Sequence, residues 1–214
     1  MNSPRDALFS RAYILGGSPC SGKSTIAEML AAKYGFVYYK ADDHDPAHMQ
    51  LAKPDHQPVM FKASRMSWDE IWSRPPSELL QDELDYYRER FPFILDDLYQ
   101  LELNKEVILE GAAFLPDLIN PYAVNRENVV YMIPTVEFQL HHYQQRPWIQ
   151  GILTECRDPR QAFDHWMQRD RLFGQEVIRQ ANALGYQVVL IDGLVDVQTQ
   201  FKMIEKQFRL ERNE

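Results

Sequence analysis

The chain alternates short apolar runs with longer stretches in which apolar residues return every three or four positions. The short runs, at 12–15, 36–39, 107–109, 128–133 and 188–191, are rich in β-branched and aromatic residues and read as strands. Ile26, Met29 and Leu30 follow the first strand at helical spacing, and Gly35 stops that helix. Leu80, Leu84, Tyr87, Phe91, Ile94, Leu98 and Leu101 predict a long helix, which Pro92 is expected to kink or divide. Before it, prolines break the pattern across 46–77, leaving one short helix around Trp68, Ile71 and Trp72. Thr135 is placed to cap a helix carrying Val136, Phe138, Leu140 and Tyr143, which ends near Arg146-Pro147. Residues 148–159 show little periodicity and read as mobile. A long helix from Phe163 to Leu184 closes on Gly185, and a last one carries Val197, Phe201, Ile204 and Phe208.

Strands alternating with helices predict a parallel sheet with right-handed crossovers and helices on both faces. The expected fold is therefore α/β and three-layered, with five strands. Residues 44–104 form a helical insertion between the second and third strands.

The first strand runs into Gly17-Ser18-Pro19-Cys20-Ser21-Gly22-Lys23-Ser24, followed by Thr25. This is G-x-x-x-x-G-K-S in the strand–loop–helix setting that a phosphate-cradling loop requires. Its amides and the following helix N-terminus would ring a polyphosphate. Lys23 would place a charge at the β- and γ-phosphates, and the Ser24 hydroxyl would ligate Mg²⁺. Lys40-Ala41-Asp42-Asp43 lies just past the second strand, on the edge where open α/β sheets hold ligands.

These motifs resemble those of the P-loop small-molecule kinases, the shikimate and gluconate kinases and nucleoside monophosphate kinases among them. The likeness spans most of the chain as architecture but only a few motifs as sequence. By this resemblance ATP and Mg²⁺ are the cofactors and a small molecule is the acceptor. Asp42 would orient or deprotonate the acceptor hydroxyl, with Asp43 its rival. Lys40 stands where the related pattern has a first acid, so a metal role there is not implied. Val107-Ile108-Leu109-Glu110-Gly111 resembles the strand and Glu-Gly turn of such kinases, with Glu110 holding Mg²⁺ through water. Arg146-Pro147-Trp148-Ile149 is similar to a lid motif, although Trp148 departs from it. The resemblance implies a lid at 146–160 whose Arg146 closes over the γ-phosphate, with Arg157 and Arg160 able to share that task. Arg169 would bind substrate or phosphate. The whole of 1–214 then forms one kinase domain.

Composition narrows the function classes. A net charge of −8 argues against a nucleic-acid or acidic-membrane surface, so anions need local Arg and Lys clusters. The 2 cysteines, Cys20 and Cys156, make no disulfide framework and fit a reducing cytoplasm. The N-terminal residues lack the apolar core of a signal peptide, and no run approaches the ~20 residues of a membrane span. A monomer or weak homodimer is expected. His44, His48 and His56 lack the Cys or carboxylate spacing of a zinc site. Trp68, Trp72, Tyr86 and Tyr87 read as insertion core, one or two of them lining an acceptor pocket. A nucleoside or nucleotide kinase is the second reading. A regulatory NTPase is the third; the Asn-Lys-x-Asp signature of guanine switches is absent, since Asn104-Lys105-Glu106 precedes a strand.

Overall fold

The computed structural model of the chain describes residues 8–101, 105–122 and 124–211. The N-terminal residues 1–7, Asn104 and the last positions of the expected insertion lie outside them.

Strands β1 (Ala12–Gly17), β2 (Val37–Lys40), β3 (Val107–Glu110), β4 (Val129–Pro134) and β5 (Gln187–Ile191) form one sheet in the order β2-β3-β1-β4-β5. All four pairings are parallel. β1 is central and fully buried, which is why it reads as an unbroken apolar run rather than an alternating one. Its side chains still divide between the two faces. Ala12 and Ile14 join Phe91, Ile94 and Leu98 of α5 (Pro76–Leu98) and Phe173 and Val177 of α9 (Pro159–Leu184). Tyr13 and Leu15 join Ile26 and Leu30 of α1 (Lys23–Tyr34) and Phe201 and Ile204 of α10 (Val197–Gln207). The molecule is thus the three-layer α/β fold expected.

Two expectations need correction, and they share a cause. Residues 46–77 hold three short helices rather than one: α2 (Asp45–Leu51), α3 (Pro58–Ala63) and α4 (Trp68–Trp72). The segment expected to be mobile contains α8 (Pro147–Thr154), which buries Ile149 and Leu153. In α2, α3, α5, α6 (Pro116–Ile119), α8 and α9 a proline sits in the first turn. There it lacks only an N–H that would be unpaired anyway, and its fixed φ suits the helix. Prolines expected to be breakers are therefore mostly helix starts.

Of the two outcomes expected at Pro92, division does not occur: α5 runs through it. Phe91, Ile94 and Leu98 stay buried on one stripe across it, and that packing outweighs one lost backbone hydrogen bond. The expected cap does form: Thr135 accepts from the Phe138 amide ahead of α7 (Val136–Gln144). Ser67 and Glu70 make a further capping box at α4.

Candidate functional site

The loop between β1 and α1 is shaped by close approach. Gly17 has φ +115°, and a Cβ there would lie 2.2 Å from the Met132 carbonyl oxygen of β4. Gly22 has φ +82° immediately before α1. The Ser21 hydroxyl donates to the Ser18 carbonyl at 3.0 Å, and Lys23 Nζ donates to the same oxygen at 2.7 Å. Lys23 thus curls back over its own loop. Burial pushes its pKa down, opposed by the nearby charges of Glu110 and Asp42. Ser18 Oγ is buried without a hydrogen-bond partner among the described residues. The N-terminus of a twelve-residue helix, a buried ammonium and an orphan hydroxyl together fit a polyphosphate.

Beside the loop, Glu110 ends β3. Ser24 Oγ donates to its Oε2 at 3.1 Å and the Tyr38 hydroxyl does so at 3.2 Å, while Lys23 Nζ stands 4.0 Å from Oε1. Burial raises the Glu110 pKa, with Lys23 opposing. A carboxylate and a hydroxyl in contact are hard oxygen donors of the kind Mg²⁺ takes. Sequence reasoning missed Tyr38. Register was the available signal: Tyr38 pairs with Ile108, which shares a sheet face with Glu110.

The adjacent acids separate. Asp43 is exposed and pairs with Lys40 at 3.6 Å. Asp42 lines a cavity of about 660 Å³ between the helical arm and α9, while its charge also acts on Lys23 and Glu110. Six aromatic residues wall this cavity: Trp68, Trp72, Tyr86, Tyr87, Trp148 and Trp166. Trp72 and Trp166 stack at 4.1 Å and 10°.

The arginines separate as well. Arg146 lies over the rings of Tyr143 (5.4 Å) and Trp148 (5.9 Å), and its charge reaches Cys20 and Lys23. Arg157 is held by Asp69 of α4, at 2.6 Å, and Arg160 is exposed. Arg169 lines the cavity, but its guanidinium is bound to Glu83 and, at 2.7 Å, to Asp170. Pro19, Cys20 and Ser21 form the loop's middle, and Thr25 is exposed on α1. Burial pushes the Cys20 thiol up to about 11, which makes it a poor nucleophile.

Beneath the loop, Asp170 accepts from the Tyr143 hydroxyl at 2.8 Å and from Gln139 Nε2 at 3.3 Å. The same Gln139 amide reaches the Pro19 carbonyl at 3.3 Å, so α7 and α9 brace the loop from below.

Solved kinase structures align with almost the whole chain. The chain is similar to shikimate kinase from Acinetobacter baumannii in complex with shikimate: 16% identity, TM-score 0.45, covering 99% of this chain and 100% of that one. It is similar to deoxyadenosine kinase from M. mycoides with bound dATP: 15% identity, TM-score 0.49, covering 93% and 99%. An uncharacterised protein from Eubacterium ventriosum aligns at 15% identity and TM-score 0.49, covering 94% and 99%. No protein-family model matches the chain, and no curated protein matches it in sequence.

One cluster was not foreseen. His44, His48 and Asp97 place ligand-type atoms within 4.8 Å of one another, although the sequence separates Asp97 from both histidines. Hydrogen bonds assign their state. Arg90 Nε, a donor only, lies 3.1 Å from His48 Nδ1, so Nδ1 accepts and Nε2 carries the ring proton. His48 Nε2 then donates to Asp97 at 2.9 Å, where the Tyr39 hydroxyl also donates at 2.8 Å. Asp97 is a hydrogen-bond hub that orients His48 and, through it, Arg90. Arg90 in turn grips Asp45 at 2.9 Å and the Ala41 carbonyl, next to Asp42.

Proposed function

We propose that the protein transfers the γ-phosphoryl group of ATP to a hydroxyl of a small-molecule acceptor. The observation that carries this reading is the position of Asp42. One carboxylate lines a ligand-sized cavity and also acts electrostatically on the phosphate loop's lysine. In this reading 17–25 holds the nucleotide and 44–104 is the acceptor arm of a single domain, with 146–160 as the lid. Lys23 and Arg146 face the charge that spreads over the transferring group, and Arg146 also excludes water. Mg²⁺ held by Ser24 and Glu110 would neutralise phosphate charge. Asp42 orients the acceptor hydroxyl and takes its proton as the new O–P bond forms. A nucleoside acceptor is one member of this class. A regulatory NTPase gives this cavity no role, which places that reading behind.

The test is ADP formation from MgATP across a panel of sugars, acids, nucleosides and amino-alcohols. Turnover that depends on one acceptor class is expected; hydrolysis indifferent to every acceptor would favour the regulatory reading. With that acceptor, Asp42→Asn lowers turnover roughly 10²–10⁴-fold and leaves MgATP affinity within a few-fold. Asp43→Asn changes little, because Asp43 answers Lys40. Equal losses in both variants would remove Asp42 from the chemistry.

A further inference from the structure

The arginines of the acceptor cavity invite the view that it binds an anion, since Arg is the usual partner of carboxylates and phosphates. Their partners say otherwise. Arg74 is 2.5 Å from Asp82, Arg90 is 2.9 Å from Asp45, and Arg169 is bound to Glu83 and Asp170. Arg90 also spends Nε on His48 and another nitrogen on Ala41. Each cavity arginine is thus neutralised from within. Of the four carboxylates that line the cavity, only Asp42 forms no ion pair among the described residues. The Tyr86 and Tyr87 hydroxyls are likewise committed, donating to Asp45 and Glu83 at 2.8 Å each.

We propose that this cavity takes a neutral, flat-ringed alcohol and turns away acceptors that carry a carboxylate or phosphate within it; the proposal rests on the acceptor reading above. An entering anion must draw an arginine away from its internal carboxylate, leaving that group dehydrated and unpaired. It also meets Asp42, the cavity carboxylate that no ion pair holds, a built-in repulsion against the wrong substrate. A neutral ring meets neither cost. It finds aromatic walls suited to stacking. Its hydroxyl finds Asp42, the cavity carboxylate that forms no ion pair among the described residues.

All 4 tryptophans of the chain line this cavity, so tryptophan emission reports its occupancy directly. The probes are benzyl alcohol and benzoate, a flat ring without and with an anionic group, titrated in the absence of nucleotide. Wild-type protein is expected to be quenched by benzyl alcohol at a concentration at least tenfold below that needed for benzoate. Asp82→Asn, which removes the carboxylate from Arg74 and Lys62, should bring benzoate at least tenfold closer and leave benzyl alcohol unchanged. Glu83→Gln, which leaves Arg169 with Asp170 as its one carboxylate partner, is the second variant should the first fold poorly. Equal quenching of wild type by both probes, or by neither, overturns the proposal. So does a benzoate response that neither variant improves. Ring preference without acceptor-dependent ADP formation would sink the kinase reading and spare this one. Efficient phosphorylation of a carboxylate-bearing acceptor would do the reverse.

Discussion

At the scale of single residues, chemistry here is decided by which partner a side chain already has. Arg157 and Arg146 both fall within the expected lid, yet Arg157 is tied to Asp69 while Arg146 rests on two aromatic faces beside the loop. Cation–π contacts of this kind contribute roughly 0.5–1 kcal/mol at exposed sites, little enough for Arg146 to move toward a phosphate. Arg146→Ala is expected to lower kcat on the order of 10³-fold while MgATP affinity changes far less, as for arginine fingers. Arg146→Lys should not restore it, because a lysine neither stacks nor bonds in a fork. Arg157→Ala should leave kcat within a few-fold. Steady-state kinetics with MgATP titration reads all three, and a larger loss in Arg157→Ala would reassign the lid arginine.

At the scale of elements, the turn Ala41–His44 that presents Asp42 is held by α2 and α5 rather than by its own short sequence. His48 of α2 is the link. Burial, together with the Arg90 guanidinium and neighbouring His44, pushes its pKa below the ordinary 6.5, against the pull of Asp97. The unfolded chain therefore binds a proton that the native state refuses. Stability contributed by neutral His48 is full above about 6.5 and is lost as pH falls from there through the lower, folded value. Thermal unfolding followed between pH 7.5 and roughly 5 should show the midpoint dropping in wild type and a flatter profile in His48→Gln. Identical slopes would show that another group carries the dependence.

At the scale of the whole molecule, the nucleotide reading makes a thermodynamic prediction that needs no acceptor. A ligand bound only by the native state at 100 times its Kd stabilises by about 2.7 kcal/mol. For a domain of this size that corresponds to a midpoint rise of roughly 5–11 °C. MgATP should produce such a shift in wild type, ATP with a chelator a smaller one, and either in Lys23→Ala little or none. Unfolding that MgATP does not move would overturn the loop assignment. Among the described residues no helix is long and apolar enough to cross a membrane.

Features that depend on spacing along one stretch of chain are legible in the sequence itself. The phosphate loop is eight consecutive residues, and the strands and long helices declare themselves through periods set by backbone geometry. Glycines at the loop's ends announce a need for unusual φ, which Gly17 and Gly22 confirm. Proline is ambiguous on the same local grounds: one missing N–H starts a helix or interrupts it, and packing such as that of Phe91 and Ile94 decides which. Charge is legible locally only where partners lie within a turn of each other, as Lys40 and Asp43 do. Nothing near Arg169 in sequence announces Glu83, and nothing near His48 announces Asp97, because those pairs meet only where α5 crosses α9 and α2. For partners on different elements a charge has no period to follow, and its effect depends on what lies within a few ångströms in space. The sequence alone therefore determined the layers and the loop, while tertiary packing decided which charges cancel and which cavity carboxylate is left without an ion pair.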